Sequence, residues 1–230
     1  MLLKEIAHGL VHLFYPRLCE GCNTPLSASE DILCVGCYLQ LARTEYHTIA
    51  ENETAMRFAG RVPFSYATSF AYFTNEGLLQ HLLHGLKYAN KKQIGIYLGR
   101  QLAHDLQQVN WVSEIDAIIP VPLHHKKEAI RGYNQSELIA EGISSILNIP
   151  VVSKALLRKR HTDSQTKKSR GERLENMKDA FEVGSSYLLK NKHILLIDDV
   201  LTTGATLESA ALAILSVPGV KVSIATIGIA

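Results

Sequence analysis

Nothing in this chain is extreme, and its shortages exclude several classes of protein. Charge of one sign is scarce: 24 Lys and Arg stand against 22 Asp and Glu, a formal net charge of +2 in 230 residues. No whole-molecule field marks it as a nucleic-acid binder, although a local basic region could still act as one. Long apolar runs are missing. None reaches the ~18 residues that a helix needs to cross a bilayer, so no integral membrane segment is expected. The partly apolar stretch Met1 to Phe14 is broken by Lys4, Glu5, His8, Gly9 and His12 and lacks a small-residue cleavage site, which makes it a poor signal peptide. Its Ile6, Leu10, Leu13 and Phe14 recur at helical spacing. They predict an amphipathic helix packed on its own protein, with docking to a membrane surface or partner as the other use. A cytoplasmic location follows as the expectation. Internal repeats and low-complexity segments are also missing, and 47% hydrophobic with 20% charged residues is an ordinary globular balance.

Cysteine is scarce too, but its placement is not random. All four lie in Cys19-x-x-Cys22 and Cys34-x-x-Cys37, with eleven residues between the pairs. Two such knuckles can set four thiolates at the corners of a tetrahedron around a structural Zn²⁺. Gly21 and Gly36 sit inside the knuckles, where backbone N–H groups turn towards sulfur. Two disulfides are the competing reading, disfavoured by the reducing cytosol. A redox C-x-x-C is weaker still, because that motif normally stands alone before a helix. A module this small has too little core to fold unaided, so a metal would supply its stability.

The densest chemistry lies in Ile194-Leu-Leu-Ile-Asp-Asp-Val-Leu-Thr-Thr-Gly-Ala-Thr206. Four apolar residues read as a buried strand, with Asp198 and Asp199 at its carboxyl end, where open α/β sheets bind ligands. Thr202, Thr203, Gly204, Ala205 and Thr206 then offer hydroxyls and backbone N–H groups at the start of a helix, a ready phosphate site. Glycine at 204 lets the backbone close on an anion.

Other elements fall around this one. Val62 to Phe73 is rich in Phe, Tyr, Ser and Thr and predicts a strand pair or hairpin. Helical patterns cover 76–90, 91–108 and 132–147, strands 115–121 and 220–229, and Val151-Val152 begins a short strand. The motif strand covers 192–197 and its helix 205–216. Strands alternating with helices imply a mainly parallel sheet. The strand at 115–121 runs into Val121-Pro-Leu-His-His-Lys-Lys127, a proline-stiffened loop that could meet a polyanion through His124, His125, Lys126 and Lys127. Arg131-Gly-Tyr-Asn-Gln135 adds a guanidinium suited to phosphate. From Lys154 to Arg173 there are eight Lys or Arg and two acids, and no aromatic lies within 158–173. That stretch reads as a mobile basic loop, a solvated one or an electrostatic track for nucleic acid.

The Asp-Asp-x-x-Thr-Thr-Gly-x-Thr segment resembles the motif of type I phosphoribosyltransferases that binds 5-phosphoribosyl-1-pyrophosphate (PRPP). The resemblance implies that Asp198 and Asp199 take the ribose hydroxyls and that Thr202, Thr203, Gly204, Ala205 and Thr206 take the 5′-phosphate. It implies a pyrophosphate loop of Val121, Pro122, Leu123, Lys126 and Arg131, and a flexible loop with Arg160, Thr162, Gln165, Lys167, Lys168 and Arg170. It also implies Mg²⁺ with PRPP. Nearly the whole chain resembles the ComF family, which is linked to natural competence and DNA utilisation. The carriers are Cys19, Cys22, Cys34 and Cys37, Leu86-Lys-Tyr88, Pro-Val-Pro-Leu123, Arg131-Gly-Tyr-Asn-Gln135, Arg160-x-Thr-x-x-Gln165, Arg173-x-x-Asn176, Phe181 and the PRPP motif.

The expected fold is therefore α/β, a type I phosphoribosyltransferase fold with its sheet flanked by helices. A small zinc-ribbon-like module precedes it. The expected divisions are 1–45 for the helix and zinc module, 46–75 for a linker and hairpin or hood, and 76–230 for the PRPP-binding domain. Expected partners are PRPP or ribose 5-phosphate, single-stranded DNA, and DNA-uptake or helicase proteins. A phosphoribosyltransferase acting on an unidentified acceptor is the other functional reading. A complete glutamine amidophosphoribosyltransferase is not expected, because residue 2 is Leu and only about a hundred residues precede the core.

Overall fold

In the computed structural model, residues 16–158, 180–184 and 186–230 are described. Strands β1 (Ala67–Tyr72), β2 (Ala117–Pro120), β5 (His193–Leu201) and β6 (Lys221–Ile229) form one sheet in the order β1-β6-β5-β2. Every pairing in it is parallel. Parallel sheets need both faces covered, and the strand sequences meet that need by alternation. Ile118, Leu195, Ile197, Ala225 and Ile227 point into one apolar cluster, while Ala117, Ile119, Ile194, Leu196, Val222 and Ile224 point into the other.

Helices α3 (Leu78–Tyr88), α4 (Lys92–Leu106) and α6 (Gln135–Leu147) cover the first face. Leu79, Leu82, Leu83 and Leu86 of α3 are buried at helical spacing. Helices α2 (Glu53–Phe58) and α7 (Ala205–Leu215) cover the second through Phe58, Leu207, Ala210 and Ile214. Each such fully buried aliphatic or aromatic side chain favours the folded state by about 1.5–3 kcal/mol over an exposed one.

At its closest point the crossing of α4 and α6 has no side chain between the helices. A Cβ on Gly99 would lie 2.1 Å from the Ile139 carbonyl oxygen, and one on Gly142 would lie 2.2 Å from that of Ile96. Backbone packs on backbone at that crossing.

Helix α1 (Val35–Leu39) belongs to the cysteine module, which sits on α3 and α4. Lys91 pairs with Glu20, and Arg100 lies 3.9 Å from Asp31. Arg43 bonds Asp105 of α4 and the Tyr38 hydroxyl, so one guanidinium ties the module to the core. A small antiparallel pair, β3 (Leu156–Arg158) with β4 (Phe181–Val183), stands beside the main sheet.

Three expectations change. No hairpin forms over 62–73: the segment supplies the single strand β1, which pairs with the last strand of the sheet. Its Thr68, Ser69, Phe70 and Ala71 are all buried, and residues 43–52 run along its open edge, where Thr44 bonds the Ser69 carbonyl and Asn52 Nδ2 donates to the Ala67 carbonyl at 2.8 Å. Asp198 lies within β5 rather than after it, since the strand continues to Leu201 and Asp198 pairs with Thr226. The segment after Pro122 is helical, α5 (His125–Arg131), with the His124 ring accepting from Lys126 N–H. Val151 forms a parallel bridge to Ile118. The first fifteen residues, with the predicted amphipathic helix, lie outside the described residues. So do Arg160, Thr162, Gln165, Lys167, Lys168 and Arg170. No helix of the described residues is long and apolar enough to cross a membrane.

Candidate ligand site and cysteine cluster

The carboxyl ends of β2 and β5, with the N-terminus of α6, enclose a cavity of about 250 Å³. Its floor is acidic. Ser136 Oγ donates to Asp198 Oδ1 at 2.9 Å, and the Asp199 N–H donates to the same oxygen at 2.9 Å. Lys87 Nζ lies 2.7 Å from Asp199 Oδ2. Burial, and then the neighbouring charge of Asp199, push the Asp198 carboxyl up to about 7. Two adjacent acids are held here with a buried hydroxyl donor on one and a lysine on the other.

The walls are basic. Lys87, Lys127, Arg131 and Arg158 line the cavity with Val121, Pro122 and Leu123. Of the pair at 126 and 127, it is Lys127 that lines it. Residues 127 and 131 stand one turn apart on α5 and share a face, while 126 does not face with them. The Arg131 guanidinium lies over the Tyr88 ring at 5.2 Å and that of Arg158 over Phe181 at 5.3 Å. Asn134 bonds the Val121 carbonyl at 2.9 Å and caps α6 at Ser136 N–H, locking the loop to the helix that carries Ser136. The Gln135 amide nitrogen is buried in this lining without a hydrogen-bond partner among the described residues.

Beyond the acids the chain turns into α7. Gly204 has φ +78°, a backbone state that disfavours other residues, and it offers no side-chain cap to the helix N–H groups. A notch of about 50 Å³ is lined by Asp198, Thr202, Thr203, Gly204, Ala205 and Thr206. Arg57 donates to the Thr202 carbonyl at 3.1 Å and Arg61 to the Thr203 carbonyl at 3.2 Å. Helix α2 and the turn that follows it therefore brace residues 202 and 203.

The structure thus brings together Asp198, Asp199, residues 202–206, Val121, Pro122, Leu123 and Arg131 in adjoining cavities. It adds Lys87, Ser136 and Gln135, which the sequence does not place at the site, and Arg158, the first residue of the basic 158–173 stretch. Their signals are present: Lys87 and Gln135 fall in quoted segments, and Ser136 follows the Asn134 cap. Nothing local marks their direction.

The four cysteines form the second constellation. All are free thiols, and their Sγ atoms lie within 4.8 Å of one another. Cys22 and Cys34 Sγ are 3.6 Å apart, near the separation set by a tetrahedron of Zn–S bonds about 2.3 Å long. Backbone N–H groups donate to sulfur from Gly21 to Cys19 (3.4 Å), Cys34 to Cys19 (3.2 Å) and Cys37 to Cys34 (3.4 Å). A Cβ at Gly21 would stand 2.9 Å from Cys37 Sγ, so glycine admits the turn. Hydrogen bonds from Thr24 hold the Cys22 thiol down to about 6, while burial pushes Cys37 up. The donor set fits a metal such as zinc.

A parallel sheet with acids, a glycine turn and a cationic wall at its carboxyl end defines a protein of the phosphoribosyltransferase fold. The phosphoribosyl transferase domain family matches residues 134–228. The chain is 30% identical over 209 residues to competence protein F of Haemophilus influenzae, covering 85% of this chain and 89% of that one. It is 32% identical over 136 residues to DNA utilization protein YhgH of Escherichia coli K12, where the match covers 58% of this chain and 59% of that one. Against competence protein ComFC of Bacillus subtilis it is 23% identical over 195 residues, covering 85% and 76%. The chain belongs to the ComF family of competence proteins.

Proposed function

We propose that the chain binds PRPP or ribose 5-phosphate in the cavity at the carboxyl ends of β2 and β5 and acts in the use of imported single-stranded DNA. One observation carries the ligand: paired acids, a helix start with glycine at its cap position and a wall of four cations adjoin one another. Asp198 and Asp199 would accept from the ribose hydroxyls. The N–H groups of 203–206 would take the 5′-phosphate. Lys127, Arg131 and Arg158, with the 121–123 backbone, would meet the pyrophosphate. Mg²⁺ bound with PRPP would neutralise oxygens that the acids repel. The DNA role rests on the names of the relatives and on the basic 154–173 stretch. In the same reading residues 1–45 are the N-terminal helix and zinc module, and the ligand-binding domain begins ahead of the expected 76, because α2 and β1 are part of its sheet and core.

Calorimetry tests the ligand. PRPP with Mg²⁺ should bind, and Asp198→Asn/Asp199→Asn should weaken it by about 1.5–3 kcal/mol for each charge-assisted hydrogen bond removed. Equal affinity in the double variant would refute the assignment. For DNA, Lys167→Ala/Lys168→Ala/Arg170→Ala should weaken oligonucleotide binding and flatten its salt dependence. The absence of oligonucleotide binding at low salt would end that part of the reading. A phosphoribosyltransferase is the second reading. The observation favouring it is the cationic wall, which suits charge on a departing pyrophosphate. Pyrophosphate release on adding an acceptor would support it, and PRPP binding without turnover across a broad acceptor panel would oppose it.

A further inference from the structure

A second cavity lies at the opposite end of the sheet. Its volume is about 530 Å³, in the range of small-molecule sites. Ser65 to Ala67 form its wall where the chain enters β1, at the end of the sheet where β5 begins with His193. The acids at 198 and 199 stand at the other end of β5, so this cavity is not part of the anion site.

Its lining decides what it could take. Tyr46, His47, Tyr66, Gln108, Asn110 and Trp111 are its chemically distinctive members, and no Lys, Arg, Asp or Glu lines it among the described residues. A phosphate or carboxylate would find no cation there, and a cationic ligand no carboxylate. The contrast with the four cations of the first cavity is complete.

Aromatic and amide groups supply the recognition. Tyr66 and Trp111 stack with centroids 4.8 Å apart and planes 12° apart, and the His193 ring continues the stack beyond Tyr66 at 6.4 Å. Gln108 and Asn110 bring exposed amides to the rim, each able to donate and accept. His47 is buried, and its Nε2 has no hydrogen-bond partner among the described residues. Its Nδ1 faces Asp105 Oδ2 at 4.0 Å. That separation is beyond hydrogen-bond reach, so Nε2 is a ring nitrogen able to donate or accept. The best occupant is flat, neutral, able to stack and edged with N–H donors and ring acceptors.

We propose that this cavity is a second ligand site, for a neutral planar heteroaromatic molecule of nucleobase or nucleoside size. It stands independently of the PRPP reading, because it shares no lining residue with the acidic end of the sheet.

The test uses the chain's own reporter. Trp111 is its single tryptophan, so emission excited at the red edge of its absorption, where tyrosine scarcely absorbs, reports from this cavity. The full-length protein is titrated with adenosine, cytidine and uridine, and with indole as a surrogate for an aromatic side chain, and calorimetry is run in parallel. At least one nucleoside should change Trp111 emission saturably. His47→Ala should weaken that nucleoside about tenfold or more, as should Asn110→Ala, whose exposed side chain leaves the core untouched. Asp199→Asn should leave it unchanged while impairing PRPP, so failure here and failure at the anion site are read separately. Three results would overturn the proposal: no saturable change with any nucleoside, loss of nucleoside binding in Asp199→Asn, or binding of indole alone, which would mark a socket for a partner's side chain.

Discussion

Asp198 is held in a state that costs the free protein stability. Desolvation of its oxygens and the adjacent charge of Asp199 push its carboxyl up to about 7, well above the ordinary 3.8. A carboxyl whose pKa rises on folding destabilises the fold wherever it is ionised. The penalty grows as pH climbs through the ordinary carboxylate range, and it levels off above about 7. A tenfold change in proton affinity corresponds to about 1.4 kcal/mol, so the ceiling is about 4 kcal/mol. Asp198 is only partly shielded from solvent, which reduces the expected cost to about 2 kcal/mol. Asp198→Asn should recover it, since an amide oxygen can still accept from Ser136 and from the Asp199 N–H. For a chain of this size that is a rise in Tm of about 4–8 °C at pH 8. At pH 5 the unfolded carboxyl is already ionised, so part of the penalty remains; the difference should shrink there and vanish only below about pH 4. On the proposed reading PRPP with Mg²⁺ should raise the Tm of the wild type, and the same variant should lose that rise. Scanning calorimetry at both pH values, with and without PRPP, decides the matter. A lower Tm for Asp198→Asn at pH 8, or the same gain at pH 5, would refute the reasoning.

Cys22→Ser should remove stoichiometric zinc, seen by elemental analysis, and unfold residues 15–42 while most of the α/β core stays folded; zinc affinity should fall as pH drops, because all four sulfurs must lose protons to bind. Lys87→Met leaves Asp199 without its cation. It should lower stability by about 1–2 kcal/mol in denaturant melts, and should push the Asp198 titration to higher pH in carboxyl-resolved NMR.

The parts of the site that sequence makes legible are those whose chemistry is contiguous. Asp198, Asp199 and the 202–206 turn follow one another directly, and the cysteines announce themselves by spacing. Ser136 acts on a carboxylate 62 positions away, and Arg57 on a carbonyl 145 positions away. Such relations are made only when the sheet assembles. Read as a loop, the segment after Pro122 gives no reason to prefer Lys127 over Lys126; as a helix, its phase selects 127 with Arg131. The alternation of β2, β5 and β6 is readable as buried strand. That of 62–73 is not, because aromatic and hydroxyl residues suit a hairpin as well as a strand roofed by its own chain. Ser69 and Thr54 pair their hydroxyls at 2.7 Å beneath that roof, which is how so polar a strand can be buried.

The crossing at Gly99 and Gly142 makes a mechanical unit of two helices. Where Gly99 meets Ile139 and Gly142 meets Ile96, backbone lies on backbone, so no rotamer change there can let α6 slide on α4. α6 begins at the groups that hold Asp198, and the flank of α4 bears Arg100, which faces Asp31 of the cysteine module. On the proposed reading, a ligand that shifted Ser136 would shift α4 with it, and with α4 the surface on which the cysteine module rests.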